Sequence, residues 1–507
     1  MILHNGLSRV VAEFASHKQE EQMSRLLILG GGIAGQTAAL HSRWRLSSKH
    51  EVVVVTPNSK WNWIPSNIWV GVGAMKPEQV TFELAPVYKK TGIIYHQAKA
   101  VSIHPEGDSA SDLSYVTIQY TSKEKSGQTE RLAYDYLINA TGPKLNFAAT
   151  KGLGPDHNSY SVCTYSHAYQ TSEALNELIE RMKRGEEKTL VVGTGHGTCT
   201  CQGAAFEYIF NVEHLLRTRK VRDKARLIWI SNEQELGDFG IGGMHLKKGG
   251  YVTHSRIFTE SLYAERGIKW ITKAHVKEVG EDGLLYEDIS GEDRELKHDF
   301  AMLLPPFSGV GLAAFDRNGS DITKDVFAPS GFMFVDGDYS KKPFEDWKAA
   351  DWPKTYQSPK YKNIFAVGIA FAPPHAITRP TISPNGTLIA PAPPRTGMPS
   401  GVMARKVAMN IVDMMEGRTD SPQRSASMAN MGAACIASAG ASFLGGTAVS
   451  MTMYPIVPDY ERFPETGRSL RYTTGEIGLA GHWIKHLLHF AFIYKGKANP
   501  LWQVIPE

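Results

Sequence analysis

Cysteines are the residues of this 507-residue chain whose type and spacing could carry redox chemistry. They are Cys163, Cys199, Cys201 and Cys435. Four cysteines are too few for the disulfide scaffold of a small secreted protein. Widely spaced cysteines in a nucleotide-binding chain are instead candidates for redox work. The elements that would position them therefore come next, and the most informative are two glycine-rich turns.

The first glycine-rich turn predicts a dinucleotide site. An apolar run, Leu26–Leu29, leads into the turn, and apolar residues resume directly after it. Gly30 permits the tight turn, Gly32 lets the backbone approach a pyrophosphate, and Gly35 allows close packing of helix on strand. The free N–H groups of the helix N-terminus favour phosphates. The predicted nucleotide contacts of this turn are Gly30, Gly32, Ile33, Ala34 and Gly35.

The strand that follows this first unit lacks a residue typical of NAD sites. Many such strands end in a carboxylate that binds a ribose hydroxyl. Here the run Glu51–Val55 is followed by Thr56-Pro57-Asn58. This departure argues against plain NAD binding at the first turn.

The second glycine-rich turn duplicates the first about 160 residues along the chain, and such internal similarity reveals a repeated unit. The strand Thr189–Val192 runs into Gly193-Thr194-Gly195, and a helical pattern follows from Ala204. In an NAD(P)H-dependent protein this unit would hold the nicotinamide cofactor. Here Cys199 and Cys201 occupy the loop and first turn where a phosphate would lie.

Composition and charge restrict the functional class. Hydrophobic residues make up 42% of the chain and charged residues 21%, as in globular proteins. The formal charge of +4 is small and no Lys/Arg block is present, so we predict no nucleic-acid partner. No apolar run reaches about eighteen residues, and residues 1–22 lack the apolar centre of a signal peptide. We also predict no metal site.

A helix is predicted near the C-terminal end, from about residue 477 to 494. Its apolar residues recur at helix-face spacing: Leu479, Trp483, Ile484, Leu487, Leu488, Ala491 and Phe492. Such a helix can cover a core or lie in a membrane interface. Covering a core is the commoner role. Phe490, Trp502 and the flanking lysines favour the interfacial alternative.

These patterns predict an α/β fold with two Rossmann-like dinucleotide-binding domains and a C-terminal amphipathic, membrane-binding helical region. The predicted first domain is split by the second, because another apolar strand enters a glycine turn at Gly368. The predicted boundaries are 1–23 for an N-terminal extension, 24–150 and 305–420 for the two parts of the first domain, 151–304 for the second domain and 421–507 for the C-terminal region.

Several segments together resemble the sulfide:quinone oxidoreductases, which are flavoproteins with two dinucleotide-binding domains. The resemblance covers essentially the whole chain from Met23 on. Flavoproteins of this superfamily usually place an Asp directly after the glycine at position 368, and the Ile369 found here matches members of the family. The segments that carry the resemblance are Ser161–Ala168, Cys201–Tyr208, Cys435–Gly440, Pro65–Asn67, Trp69–Gly73, Thr141–Leu145 and Gly368–Ala370.

The resemblance implies FAD on the first glycine turn and assigns redox roles to three cysteines. It implies a disulfide of Cys201 and Cys435 beside the flavin, which hydrosulfide would attack by thiol–disulfide exchange. Cys163 matches the third cysteine of the family and would pass on or release polysulfide. His167 could assist proton transfer or be a plain capping histidine. Cys199 has no counterpart, and either it or Cys201 could be the reactive residue.

The resemblance also implies further cofactor contacts and a quinone pocket on the other face of the flavin. Predicted pocket walls are Ile436, Phe443 and the Pro391–Pro394 loop, with Arg395 orienting a quinone carbonyl. The further cofactor contacts that it implies are Pro65, Asn67, Thr141, Gly142, Pro143, Gly368, Ile369 and Arg395.

The implied partners are hydrogen sulfide, a quinone and a membrane surface, with a homo-oligomer as a further possibility. The predicted location is the cell membrane, peripherally bound. One alternative is a type II NADH:quinone dehydrogenase, which needs an intact second nucleotide loop. Another is the flavin subunit of a flavocytochrome c sulfide dehydrogenase, which is usually exported. A non-enzymatic flavin-binding scaffold is the third alternative, and the three cysteines argue against it.

Overall fold

Strands and helices alternate through most of the chain. The computed structural model describes residues 23–200, 202–440 and 445–507. The helices are α1 Ile33–Arg45, α2 Asn67–Gly71, α3 Pro77–Val80, α4 Leu84–Thr91, α5 Tyr165–Lys183, α6 Gln202–Thr218, α7 Ser255–Glu265, α8 Thr323–Val326, α9 Gly397–Met415 and α10 Leu479–Gly496.

The strands belong to three larger sheets and several short pairs. They are β1 Arg25–Leu29, β2 Glu51–Thr56, β3 Lys60–Asn62, β4 Thr81–Glu83, β5 Ile94–His104, β6 Tyr115–Tyr120, β7 Thr129–Ala133, β8 Tyr136–Asn139, β9 Lys144–Leu145, β10 Lys188–Thr194, β11 Ala225–Ile230, β12 His245–Lys248, β13 Tyr251–His254, β14 Lys269–Ile271, β15 His275–Val279, β16 Gly283–Glu287, β17 Asp293–Lys297, β18 Phe300–Leu304, β19 Phe307–Ser308, β20 Ala313–Ala314, β21 Ile364–Ala366, β22 Thr381–Ile382, β23 Leu388–Ile389, β24 Ala433–Ala439, β25 Thr447–Met453 and β26 Thr474–Gly478.

The largest sheet is organised around β1. Its order is β21-β8-β1-β2-β5-β6-β7, and β1 pairs in parallel with both β2 and β8. The apolar side chains of β1 and β2 are buried, as expected for parallel strands covered on both faces. α1 packs against α9. The chain returns to this sheet at β21, which pairs in parallel with β8.

A second parallel sheet has the order β14-β11-β10-β18 and contains the duplicated unit. β10 leads into the second glycine-rich turn, and α6 follows that turn. The two sheets confirm the predicted α/β dinucleotide-binding fold. The exact domain boundaries stay a prediction.

The C-terminal region is not purely helical as predicted. β24, β25 and β26 form a sheet that β12 and β13 extend, in the order β13-β12-β26-β25-β24. β24 carries Cys435 directly opposite Met451 of β25. The segment Ala433–Ala439 is rich in small residues and has no strong local preference, so its pairing with a distant strand decides its conformation.

The C-terminal helix α10 turns its apolar side chains outward. Leu487 and Phe490 are 66% and 64% exposed, whereas Lys485 and His489 are buried. The core-covering interpretation of the apolar face is therefore wrong. Within the described part of the chain, no helix has the length and apolarity needed to cross a bilayer.

A buried polar network explains why the basic side of α10 faces inward. The Lys485 ammonium donates to the Glu207 carboxylate (3.0 Å) and to the Ile436 carbonyl (3.1 Å). Glu207 also accepts from the backbone N–H (3.1 Å) and the hydroxyl (2.6 Å) of Ser438. Asn211 donates to the Ser438 carbonyl (2.7 Å). The network joins α6, β24 and α10, and each buried polar group gains a partner.

Loss of Lys485 is expected to destabilise the fold strongly. Lys485→Met leaves Glu207 buried without its cation, which costs about 3–5 kcal/mol in comparable pairs. The double variant Lys485→Met/Glu207→Gln removes the charge but keeps an acceptor for Ser438, so it should recover part of the loss. Urea unfolding of the two variants measures both effects. Equal stability of wild type and Lys485→Met would contradict this role.

Candidate active site

The first glycine-rich turn has the geometry of a phosphate cradle. Gly30 adopts φ +103°, and a Cβ there would clash with the Ala140 carbonyl. A Cβ on Gly35 would clash with the carbonyl oxygen of Gly30. A Cβ on Gly32 would meet nothing within 4 Å, so space is open directly before α1. Backbone N–H groups at this helix end can therefore receive an anionic group such as the FAD pyrophosphate.

Three neighbouring strand ends bring other predicted cofactor residues to the same edge. β1, β8 and β21 are adjacent and parallel, so the residues that follow each of them lie together. Thr141 donates from its N–H and hydroxyl to the Asn139 side chain (3.2 and 2.8 Å), and Gly142 follows with φ +70°. A Cβ on Gly368 would lie 2.9 Å from that of Ala34. The arrangement fits a bound dinucleotide.

Arg395 supports this edge through backbone contacts. Its buried guanidinium donates to the carbonyls of Ile369 (2.9 Å) and Phe371 (2.6 Å) and lies over the Phe332 ring. These contacts fix the loop that follows Gly368. A contact between Arg395 and quinone stays a prediction.

Asn67 connects the Pro65–Asn67 segment to the first predicted redox cysteine. The buried Asn67 side chain exchanges hydrogen bonds with Asn62 (2.9 and 3.0 Å) and donates to the Val162 carbonyl (3.3 Å). Trp63 of the same segment stacks on Phe492 of α10. The segment therefore ties the Cys163 region to the C-terminal helix, while its predicted contact with the cofactor stays untested.

Cys163 is half-buried and lies just before α5. Thr164 caps this helix by accepting from the His167 N–H (3.1 Å), and the Cys163 N–H donates to the Ser161 hydroxyl (3.2 Å). The positive end of the helix dipole favours negative charge at this position. Burial lowers the pKa of His167, so its imidazole is neutral near pH 7 and able to accept a proton. Cys163 and His167 thus share the first turn of one helix.

Cys199 has contacts typical of a structural residue. Its thiol is fully buried and donates to the Leu304 carbonyl (3.1 Å). Its own carbonyl accepts from the Ala392 N–H (3.0 Å) and from the side chains of Gln202 and Asn232 (both 3.1 Å). A buried thiol that donates a hydrogen bond is protonated and unreactive. These contacts favour Cys201 over Cys199 as the reactive residue, although Cys201 itself lies outside the described residues.

Cys435 lies against the first turn of the helix that follows Cys201 in sequence. A Cβ on Gly203 would be 3.7 Å from the Cys435 sulfur. The Glu207–Ser438 hydrogen bonds hold this strand and this helix together one turn further along. Sequence reasoning missed Glu207 as a member of this site, although it stands six residues after Cys201. Its signal was a carboxylate on an otherwise apolar helix.

The second glycine-rich turn is filled by the protein's own groups. The Gly197 N–H donates to His275 (2.9 Å), and the Gly197 carbonyl accepts from the N–H of Ala390 (2.8 Å) and from Asn232 (3.0 Å). A Cβ on Gly197 would lie 2.5 Å from the Leu388 carbonyl oxygen. The N–H that a phosphate would accept from is therefore already engaged.

Glu233, near the end of β11, is also unavailable to a ribose. It is fully buried and accepts from the Phe239 N–H (2.8 Å) and the Ser231 hydroxyl (2.9 Å). Burial, and then the nearby Asp238, raise the pKa of Glu233 to about 8. A carboxyl that stays protonated and internally bonded does not form an NADH site. Its signal in the sequence was an acid three residues after an apolar strand.

Comparison with known proteins supports this architecture. Residues 24–224 match the family described as pyridine nucleotide-disulphide oxidoreductase. The chain is 30% identical over 474 residues to the sulfide-quinone reductase of Aquifex aeolicus, covering 93% of this chain and 90% of that protein. A mitochondrial sulfide:quinone oxidoreductase of Dictyostelium discoideum is 23% identical over 371 residues, covering 72% of this chain and 70% of that protein.

A solved structure gives the same result. The X-ray structure of the sulfide:quinone oxidoreductase from Aquifex aeolicus matches with a TM-score of 0.72 and 27% identity. The match covers 95% of this chain and 94% of that chain.

Two glycine substitutions should separate folding from cofactor binding. Gly35→Ala forces the first turn apart, so thermal unfolding should begin at a lower temperature and flavin content should fall. Gly32→Ala places a methyl group in open space at an ordinary φ of −76°, so the fold should be retained. That methyl occupies the approach of the phosphates, and flavin affinity should fall about tenfold, or 1.4 kcal/mol. Melting curves and flavin-to-protein ratios of both variants decide, and unchanged values in both would contradict the cradle.

Proposed function

This chain belongs to the sulfide-quinone reductase family, and from that membership we propose how its own residues divide the work of oxidising sulfide and reducing quinone. The enzyme is an FAD-dependent oxidoreductase that takes electrons from sulfide and passes them to quinone. FAD, when bound, accepts two electrons on the sulfur side and releases them on the quinone side. The proposal concerns the residues on each side.

The sulfur side lies between α6 and β24 in this proposal. Cys201 and Cys435 form the disulfide, and hydrosulfide attacks one of its sulfurs. A new S–S bond forms between substrate and enzyme, the old S–S bond breaks, and its electron pair stays on the other cysteine as a thiolate. The observation that carries the proposal is the Cys435 sulfur against the first turn of α6, next to Gly203.

Cys163 and His167 complete the sulfur side. Cys163 would take over the growing sulfur chain by further thiol–disulfide exchange. The neutral imidazole of His167, four residues later on the same helix turn, would accept the proton that a persulfide releases. Asn67 supports this arrangement because it holds the carbonyl of Val162, the residue before Cys163.

The quinone side is formed by the C-terminal region and the Pro391–Pro394 loop. Ile436, next to Cys435 on β24, would form one wall, and Phe443 lies outside the described residues. Arg395 would shape this pocket through the loop carbonyls of Ile369 and Phe371. Adjacent strand residues point to opposite faces of a sheet, so Cys435 and Ile436 can serve opposite sides of one flavin.

Membrane binding is proposed for the outward face of α10. Exposed apolar residues recur along one side of this helix, among them Ile484, Leu487 and Phe490. Leu501 and Val504, just beyond the helix, are also exposed. A helix with such a face binds in the plane of a bilayer interface. Peripheral attachment to the cell membrane would give access to lipid-soluble quinone, and a homo-oligomer stays a prediction.

The filled second turn distinguishes this proposal from the type II NADH:quinone dehydrogenase alternative. Gly197 already has its partners in His275, Asn232 and Ala390, and Glu233 is buried. NADH would have to displace all of these groups. Sulfide is therefore the favoured electron donor.

Stopped-flow absorbance of the bound flavin tests the sulfur chemistry. Sulfide should bleach the wild-type flavin rapidly. Cys201→Ala and Cys435→Ala should each slow bleaching about a hundredfold or more, because residues that act as a unit fail together. Cys199→Ala is the matched control and should react at nearly the wild-type rate. Unimpaired bleaching in both Cys201→Ala and Cys435→Ala, or rapid bleaching by NADH but not by sulfide, would sink the proposal.

Vesicle sedimentation tests the membrane face. Leu487→Gln/Phe490→Gln should weaken binding to mixed zwitterionic and anionic vesicles on the order of a hundredfold, because two buried apolar side chains are lost. Reduction of a short-chain, water-soluble quinone should be unchanged. Leu113→Gln is a control at another leucine with the same 66% exposure. Vesicle binding that survives the double variant, or falls equally in the control, would rule out this face.

A further inference from the structure

Gln202, the residue directly after Cys201, has a side chain whose orientation is fixed by its neighbours. The Asn232 amide nitrogen donates to the carbonyls of Gly197 (3.0 Å) and Cys199 (3.1 Å). The other end of the Asn232 amide is therefore an oxygen, and the Gln202 group that faces it at 2.8 Å must be the NH₂. The same NH₂ also reaches the Cys199 carbonyl at 3.1 Å.

The carboxamide oxygen of Gln202 is consequently left facing away from this network. Gln202 is fully buried, and no group among the described residues donates to its oxygen. Leaving a buried acceptor without a donor costs about 1–3 kcal/mol, so the position calls for a donor from outside the chain.

The surroundings of this oxygen are narrow. A Cβ on Gly240 would lie 3.5 Å from the Gln202 oxygen, 2.9 Å from the Ala392 carbonyl and 3.4 Å from the Pro394 ring. Only a small donor fits between the Gly240 backbone and the start of α6. The next residue, Gly203, is the one that faces the Cys435 sulfur.

We propose that the Gln202 oxygen accepts a hydrogen bond from the S–H group of the attacking hydrosulfide, and thereby selects a sulfur nucleophile that carries a hydrogen. The inference rests on the proposed attack at the Cys201–Cys435 disulfide. In that step the S–H bond of hydrosulfide is kept, and it becomes the S–H bond of the enzyme persulfide. The same acceptor therefore serves substrate and product of the step. A thiolate such as methanethiolate attacks in the same way but has no S–H to donate.

The rates of flavin reduction by hydrosulfide and by methanethiolate test this role in the FAD-bound enzyme. Gln202→Met removes the acceptor and should lower the hydrosulfide rate about tenfold, as expected for loss of one hydrogen bond. The methanethiolate rate should hardly change, so the ratio of the two rates should fall about tenfold. The added bulk of the methyl group slows methanethiolate in every variant and cancels in the comparison.

Gln202→Glu is the conservative control. It keeps an acceptor oxygen and adds a charge that repels both anionic nucleophiles alike, so both rates should fall while their ratio stays near that of wild type. If Gln202→Met fails to retain FAD, Gln202→Asn withdraws the oxygen by one methylene and should shift the ratio in the same direction.

Equal loss of both rates in Gln202→Met would show a merely structural role and overturn the inference. An unchanged ratio with unchanged rates would overturn it as well, since the donor would then be a water molecule. Absence of sulfide-driven flavin reduction in wild type would instead refute the proposed function itself. The two failures are therefore distinguishable.

Discussion

The architecture of the site depends on one buried ion pair, that of Lys485 and Glu207. Two charges removed from water need good geometry and further hydrogen bonds, and here Ser438 and the Ile436 carbonyl supply them. Because the partners come from α6, β24 and α10, this pair sets the relative positions of three elements. The proposed sulfur site lies between the first two.

The same pair explains the reversed orientation of α10. A helix usually buries its apolar stripe, but burial of that stripe here would place Lys485 in water and leave Glu207 unpaired inside the protein. The apolar side is left for another solvent, and a bilayer interface is the environment that such a face suits. Satisfaction of polar groups thus outweighs simple hydrophobic patterning in this helix.

The sequence predicts local features of the fold well and long-range ones poorly. The glycine turn at Gly30 and the strands around it follow from spacing and apolar runs, because their physical causes lie within a few residues. The closed second turn depends on His275 and Leu388, which no local pattern connects to Gly197. The inward face of α10 depends on an acid 278 positions away in sequence. For the same reason the roles of Gln202 and Glu207 emerge only from the folded chain.

That separation has a consequence for biosynthesis. Chain segments meet at a rate limited by the entropy of closing the loop between them, so contacts between distant residues form late. On the ribosome, both glycine turns emerge long before β24 and α10. A nascent chain can therefore assemble its nucleotide-binding sheets first, while Cys435 and Lys485 still await synthesis. The reactive cysteine pair forms only when the polypeptide is nearly complete, which keeps redox chemistry from starting in an unfinished enzyme.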